Sequence, residues 1–114
     1  MRVFDPERYK GGWFVGDFEP SIWRTSAYEV GYKHHVAGEA WPTHYHEHMD
    51  ELTFLLEGTM HIQGQTLTGP TIFELVRGEV ADPVFVTDCK VFVIKAPSVP
   101  GDKVEIQREV SDGD

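Results

Sequence analysis

Short runs rich in Val, Ile, Thr, Phe and Tyr recur along this chain, broken by Gly, Pro and Asp at intervals of about ten residues, and helical periodicity is almost absent. Strands are predicted over 13–18, 27–36, 43–46, 51–57, 59–63, 71–75, 83–87, 91–96 and 103–107. Gly58, the Gly64-Gln65 pair and Gly78 predict turns, where a positive φ is cheap for glycine. Residues 97–102 read as an irregular connection before a last edge strand, and 111–114 as a fraying end. Many short strands with little helix must each bury one face and hide their edges. Two stacked sheets or a closed barrel satisfy both demands, and a jelly roll is the expected all-β architecture.

At 114 residues the chain predicts one domain, with a barrel core over 13–107 and a short tail over 108–114. Acidic residues outnumber basic ones 19 to 10, a formal charge of -9 that repels phosphate backbones and anionic headgroups, so neither nucleic acid nor membrane is an expected partner. No secretory signal pattern opens the sequence and its apolar runs are short, which predicts a cytoplasmic protein. The lone Cys89 fits a reducing compartment, and its place in an apolar run predicts burial rather than reactivity.

All six histidines fall between positions 34 and 61. In an extended strand His44 and His46 point to one face and Tyr45 to the other, and Glu51 opens the next strand, where an antiparallel neighbour can present its carboxylate to that face. Two imidazoles and a carboxylate suit a borderline divalent ion and leave positions for water or substrate. Against this stands a solvated loop that binds nothing. A helical site on His44 and His48 conflicts with Pro42, and the metalloprotease H-E-x-x-H fails because position 50 is Asp.

Gly38, His44, His46, Glu51 and Gly58 stand at the spacings G-x5-H-x-H-x4-E-x6-G, which resembles the first signature motif of the cupin superfamily. The resemblance implies a double-stranded β-helix (jelly roll, cupin barrel) holding one divalent metal ion (Fe, Mn, Zn, Ni or Co) on His44, His46 and Glu51 inside the barrel. It also implies a homodimer formed through the sheets. The second cupin motif departs from pattern: with Gly69 to Gly78 laid over its glycines, Ala81 stands where the family has a fourth ligand, a histidine. Asp82 is adjacent and is the possible fourth ligand; alternatively the metal has three ligands, as in two-histidine, one-carboxylate iron sites. Gly12 to Ser21, Glu29 to Lys33, Lys95 to Ser98 and Gly101 to Lys103 are further similar to small single-domain cupins of the conserved-barrel type, a likeness that bears on fold rather than activity.

Lys33 and Lys95 fall on predicted strands, where they either line the barrel mouth and bind an anionic substrate group or point outward and cap a sheet edge. Trp13, Trp23 and Trp41 read as packing anchors, with Trp41 near enough to the metal strand to flank a pocket and join Lys33 and Lys95 as substrate-binding candidates. His61 is expected to face out, and at most one of His34 and His35 to face in. The functional expectation is a metal-dependent enzyme acting on a small polar metabolite such as a sugar or carbonyl compound. The alternative is a non-catalytic small-molecule-binding barrel, a sensor or carrier. Because imidazole binds metal only when neutral, metal occupancy should fall as pH drops below about 6.5; occupancy that holds to about pH 5, measured by elemental analysis after equilibration, would count against His44 and His46 as principal ligands.

Overall fold

The structure, a computed structural model, describes residues 1–106. The tail at 108–114, with its fraying end, and position 107 of the last predicted strand lie outside the described residues. Eleven strands are β1 (Trp13–Gly16), β2 (Trp23–Arg24), β3 (Glu29–His35), β4 (His44–His46), β5 (Asp50–Glu57), β6 (Thr59–Ile62), β7 (Gln65–Thr68), β8 (Thr71–Leu75), β9 (Val84–Phe85), β10 (Cys89–Ala96) and β11 (Lys103–Glu105).

A six-stranded sheet in the order β2-β1-β3-β10-β5-β8 forms one wall. The facing wall is built from β7-β6-β9 and β11-β4, joined by single bridges of Ala40 to Val84 and His44 to Ala81. Strand alternation divides the large sheet cleanly. Cys89, Val91 and Val93 of β10 and Leu55 of β5 turn inward to meet Met60 and Ile62 of β6, Leu75 and Phe85. Leu55, Met60 and Cys89 are fully buried, each of the two larger side chains contributing about 1.5–3 kcal/mol on burial. The outward set is also apolar: Leu52, Phe54, Ile72, Phe92 and Ile94 form an exposed face on the large sheet.

The all-β double-stranded β-helix expected from the strand pattern is the architecture found. Two strands were not anticipated. β7 carries one apolar residue, Leu67, among Gln65, Thr66 and Thr68, and β2 is two residues long, so neither has a readable apolar face. The turn expected at Gly64-Gln65 sits one residue earlier. Gln63 (φ 51°) and Gly64 (φ 72°) form a two-residue hairpin loop between Ile62 and Gln65, with both φ values positive as a type I′ turn requires. Trp23, expected as a packing anchor, is instead exposed on β2.

Gly58 joins β5 to β6 under a constraint that Gly64 lacks. Its φ is 102° and a Cβ there would lie 2.3 Å from the Asp88 carbonyl oxygen, whereas a Cβ on Gly64 meets nothing within 4 Å. Gly64→Ala should therefore cost about 1 kcal/mol, the ordinary penalty of a left-handed alanine. Gly58→Ala should cost at least about 3 kcal/mol because backbone must also move. Urea midpoints of the two variants test the ordering, and equal midpoints would refute it.

Candidate metal centre and its cavity

Glu29 of β3, Lys95 of β10 and Glu51 of β5 stand opposite one another in one inward-facing row across three strands. Cross-strand charges of opposite sign stabilise such a row, and Lys95 Nζ lies 3.8 Å from Glu51 Oε1. Thr53, two residues on and hence on the same face, donates its hydroxyl to Glu51 Oε2 at 2.9 Å. Burial pushes the Glu51 carboxyl up, but the neighbouring His46 imidazole, the Lys95 ammonium and the Thr53 hydroxyl together hold it below the usual carboxylate value.

β4 carries His44 and His46 inward, both buried, with Tyr45 between them turned the other way. The strand is gripped from both sides. β11 pairs Lys103 with His46 and Glu105 with His44, and Ala81 exchanges two backbone hydrogen bonds with His44 at 2.9 and 2.7 Å. The imidazole rings meet edge to face with centroids 5.5 Å apart. His44 Nδ1 lies 2.8 Å from the Pro42 carbonyl, which only accepts, so Nδ1 carries the proton and Nε2 keeps its lone pair. His46 Nε2 is 3.6 Å from Glu51 Oε1, and neither ring nitrogen of His46, both buried, has a hydrogen-bond partner. A buried orphaned imidazole costs about 1–3 kcal/mol, and a metal ligated by that ring would remove part of that cost. By chemistry the donor set suits a divalent ion, with one imidazole of fixed tautomer, one with its lone pair unspoken for and an ionised carboxylate beside it, although the three donor atoms do not all come within 4.8 Å of one another.

A cavity of about 90 Å³ opens beside His44 and Glu51, walled by Trp13, Lys33, Trp41 and Lys95 over an apolar floor. A second, of about 250 Å³, lies against His46 and Lys95 and reaches Lys10, Glu29 and Lys103. Lys33 and Lys95 both face these spaces, so the edge-capping alternative for them is set aside. Gly31 makes room for this arrangement, since a Cβ there would fall 2.8 Å from the Trp13 ring that lies across it. Trp41 flanks the cavity and donates Nε1–H to Glu39 Oε2 at 2.6 Å; the same oxygen meets His35 Nδ1 at 2.5 Å. His35 is the inward member of its pair, stacked on Phe85 with centroids 4.0 Å apart, and His34 is exposed. His61 faces out, against the Thr66 hydroxyl.

Asp82 does not join this group. It is exposed and accepts the Gln63 backbone N–H at 2.7 Å, because alternation sends Ala81 inward opposite His44 and Asp82 away. The possible fourth ligand is corrected accordingly. Glu39, Thr53 and Lys103 were not singled out in the sequence. Thr53 was within reach of the alternation rule from Glu51, but Glu39 and Lys103 arrive from a loop and a distant edge strand whose register no local pattern fixes. Glu47, His48 and Asp102 form a separate group whose donor atoms all lie within 4.8 Å of one another, with Asp102 buried and already accepting the His48 backbone N–H at 2.9 Å.

No protein-family model and no curated protein sequence matches the chain. Solved structures do. An uncharacterized conserved protein with a double-stranded β-helix domain from Klebsiella pneumoniae superposes with TM-score 0.68 at 17% identity over 94% of this chain and 93% of that one. The fold is therefore the double-stranded β-helix seen in cupin structures. DMSP lyase DddQ from Ruegeria pomeroyi matches with TM-score 0.69 at 15% identity, over 87% of this chain and 52% of the lyase. An acetylacetone dioxygenase from Acinetobacter johnsonii matches with TM-score 0.62 at 17% identity, over 75% and 59%. The chain thus spans between half and two thirds of the length of those two enzymes.

Burial, ahead of the repulsion from Lys95, pushes the Lys33 amine from its ordinary 10.5 down to about 8. A lowered amine pKa means that the unfolded chain holds more protons between pH 8 and 10.5, so this group penalises the fold below pH 8 and the penalty fades as pH rises to 10.5. Lys33→Met should raise the urea midpoint relative to wild type at pH 7, with the difference shrinking towards pH 10.5. A difference independent of pH would show that the amine is not desolvated.

Proposed function

We propose that this protein holds one divalent metal ion on His44, His46 and Glu51 and acts in the adjoining cavity on a small polar metabolite, a sugar or other carbonyl compound. The observation that carries the reading is His46: a buried imidazole with two unpartnered nitrogens, beside an ionised carboxylate and a second imidazole whose own partner leaves Nε2 unprotonated. A bound ion of the Fe, Mn, Zn, Ni or Co class would supply a Lewis acid for a substrate oxygen, or oxygen activation in the case of Fe(II).

The chain's own groups orient and shield. Pro42 fixes the His44 ring, and Thr53 and Lys95 fix the Glu51 carboxylate. Met60, Ile62, Phe85, Val91 and Val93 give the cavity an apolar floor, while Trp41, Lys33 and Lys95 stand at its wall as the substrate-binding candidates. The enzyme names among the structural neighbours, a dioxygenase and a lyase, agree with chemistry in such a pocket. One observation bears on the second reading, a sensor or carrier barrel: among the described residues that line this cavity Glu51 is the sole carboxylate, which leaves His35 and Lys33 as the groups outside the proposed ligand set that could take a proton.

Elemental analysis of the purified chain beside a His44→Ala, His46→Ala double variant tests the centre. About one ion per chain in the wild type and none in the variant is expected. Equal metal content in the two would move the ion elsewhere, to Glu47, His48 and Asp102 first; no metal in either after soaking would leave the binding barrel.

A further inference from the structure

Positive charge is concentrated in this protein where an acidic chain would least be expected to place it. The formal net charge is -9, yet of the lysines Lys10, Lys33, Lys90, Lys95 and Lys103 all but Lys90 line the two cavities that meet at Trp13. They are interleaved with indole rings. Lys95 and Lys33 stand 4.8 and 4.6 Å from the Trp13 centroid, and Lys33 and Lys103 stand 5.4 and 4.3 Å from that of Trp41. Lys33 is therefore held over both rings, with a like charge beyond each of them. The ring faces attract the ammonium groups, but they do not cancel a charge.

Counter-charges are distributed unevenly. Lys95 has Glu51 at 3.8 Å and Lys103 has Glu105 at 3.9 Å, whereas among the described residues no carboxylate oxygen lies within 4.0 Å of Lys33 Nζ. With an amine pKa of about 8, Lys33 is still mostly protonated at neutral pH. A half-buried cation without a partner opposes folding, and groups held at that cost collect where ligands supply the missing charge. What is missing is a single negative charge, since Glu51 faces the same cavity and repels any excess. A carboxylate meets that requirement better than a phosphate dianion does.

We infer that the cavity binds a small organic acid, whose carboxylate pairs with Lys33 between the Trp13 and Trp41 rings. This deepens the proposed substrate reading and depends on that cavity being a ligand site, but not on the metal.

The test titrates pyruvate, acetate and the uncharged pyruvamide into the nitrogen-15-labelled full chain, as purified and again after EDTA treatment, following the indole N–H signals of Trp13, Trp23 and Trp41. Both carboxylates are expected to move the Trp13 and Trp41 signals saturably in both samples and to leave exposed Trp23 unmoved. Pyruvamide should bind at least about tenfold more weakly, and Lys33→Met should weaken pyruvate by a similar factor. Absence of a saturable shift with either carboxylate, an equal response to pyruvamide, or an unchanged response in the variant overturns the inference. Should Lys33→Met fail to fold, which the indole spectrum itself reveals, Lys33→Gln and the comparison of pyruvate with pyruvamide on the wild type still decide. Metal bound without a carboxylate response sinks this inference alone, and a carboxylate response in a chain that takes up no metal sinks the metal centre alone.

Discussion

Charge enters the barrel of this protein through the row of Glu29, Lys95 and Glu51. The register of β3, β10 and β5 sets the lysine between two acids on the face that also carries Lys33 and His35 beside Val91, Val93, Thr53 and Leu55, so each carboxylate taken out of water has an ammonium opposite it. Glu29 illustrates what happens with less support: burial raises its carboxyl despite Lys95 and the Ser98 hydroxyl at 3.1 Å. Glu51, with His46 and Thr53 added, goes the other way. Two acids flanking one lysine thus end with opposite shifts, and it is the one shifted down that lies beside His46.

That division depends on backbone geometry as much as on side-chain chemistry. Without a side chain at Gly31, Trp13 lies flat across the sheet between Lys33 and Lys95. Across the barrel, Glu39 accepts from Trp41 and meets His35, fixing the second indole. Lys33 thus stands near both indole faces of the cavity wall, with Lys95 near the first and Lys103 near the second. Most of the other acidic groups among the described residues, buried Asp102 apart, reach the surface, where pairs such as Arg77 with Asp50 are solvated and contribute little to stability.

What the sequence discloses follows from how local each cause is. His44 and His46 share a face because a strand has a period of two, and Ala81 falls opposite His44 as the motif spacing suggests. Glu51 could be placed on the same face because the connection from β4 to β5 is short. Those inferences need a few residues of chain each. The burial of Lys33, by contrast, is decided by Trp13, Trp41, Lys95 and Lys103, which come from four separate segments, and a lysine on a strand reads equally well as an edge cap. β7 was illegible for a different reason: its hairpin is specified by the positive φ of Gln63 and Gly64, and its polar sequence carries no alternation to read.

Ala81 bears on the chemistry more than its size suggests. Directly opposite residues in an antiparallel bridge present their side chains to one face, so a methyl group stands next to the His44 imidazole where the motif comparison anticipates a further ligand. Asp82 cannot take its place without reversing the alternation of the segment. Under the proposed ligand set the protein contributes two nitrogens and one carboxylate, and the flank of the site beside Ala81 opens towards the cavity that Lys33 and the two indoles enclose. A ligand in that cavity meets apolar floor, ring faces and the Lys33 ammonium beside the His44 imidazole. Selection by charge and any chemistry at the metal are then separable, because they rest on different strands: β3 for the lysine, β4 and β5 for the ligands.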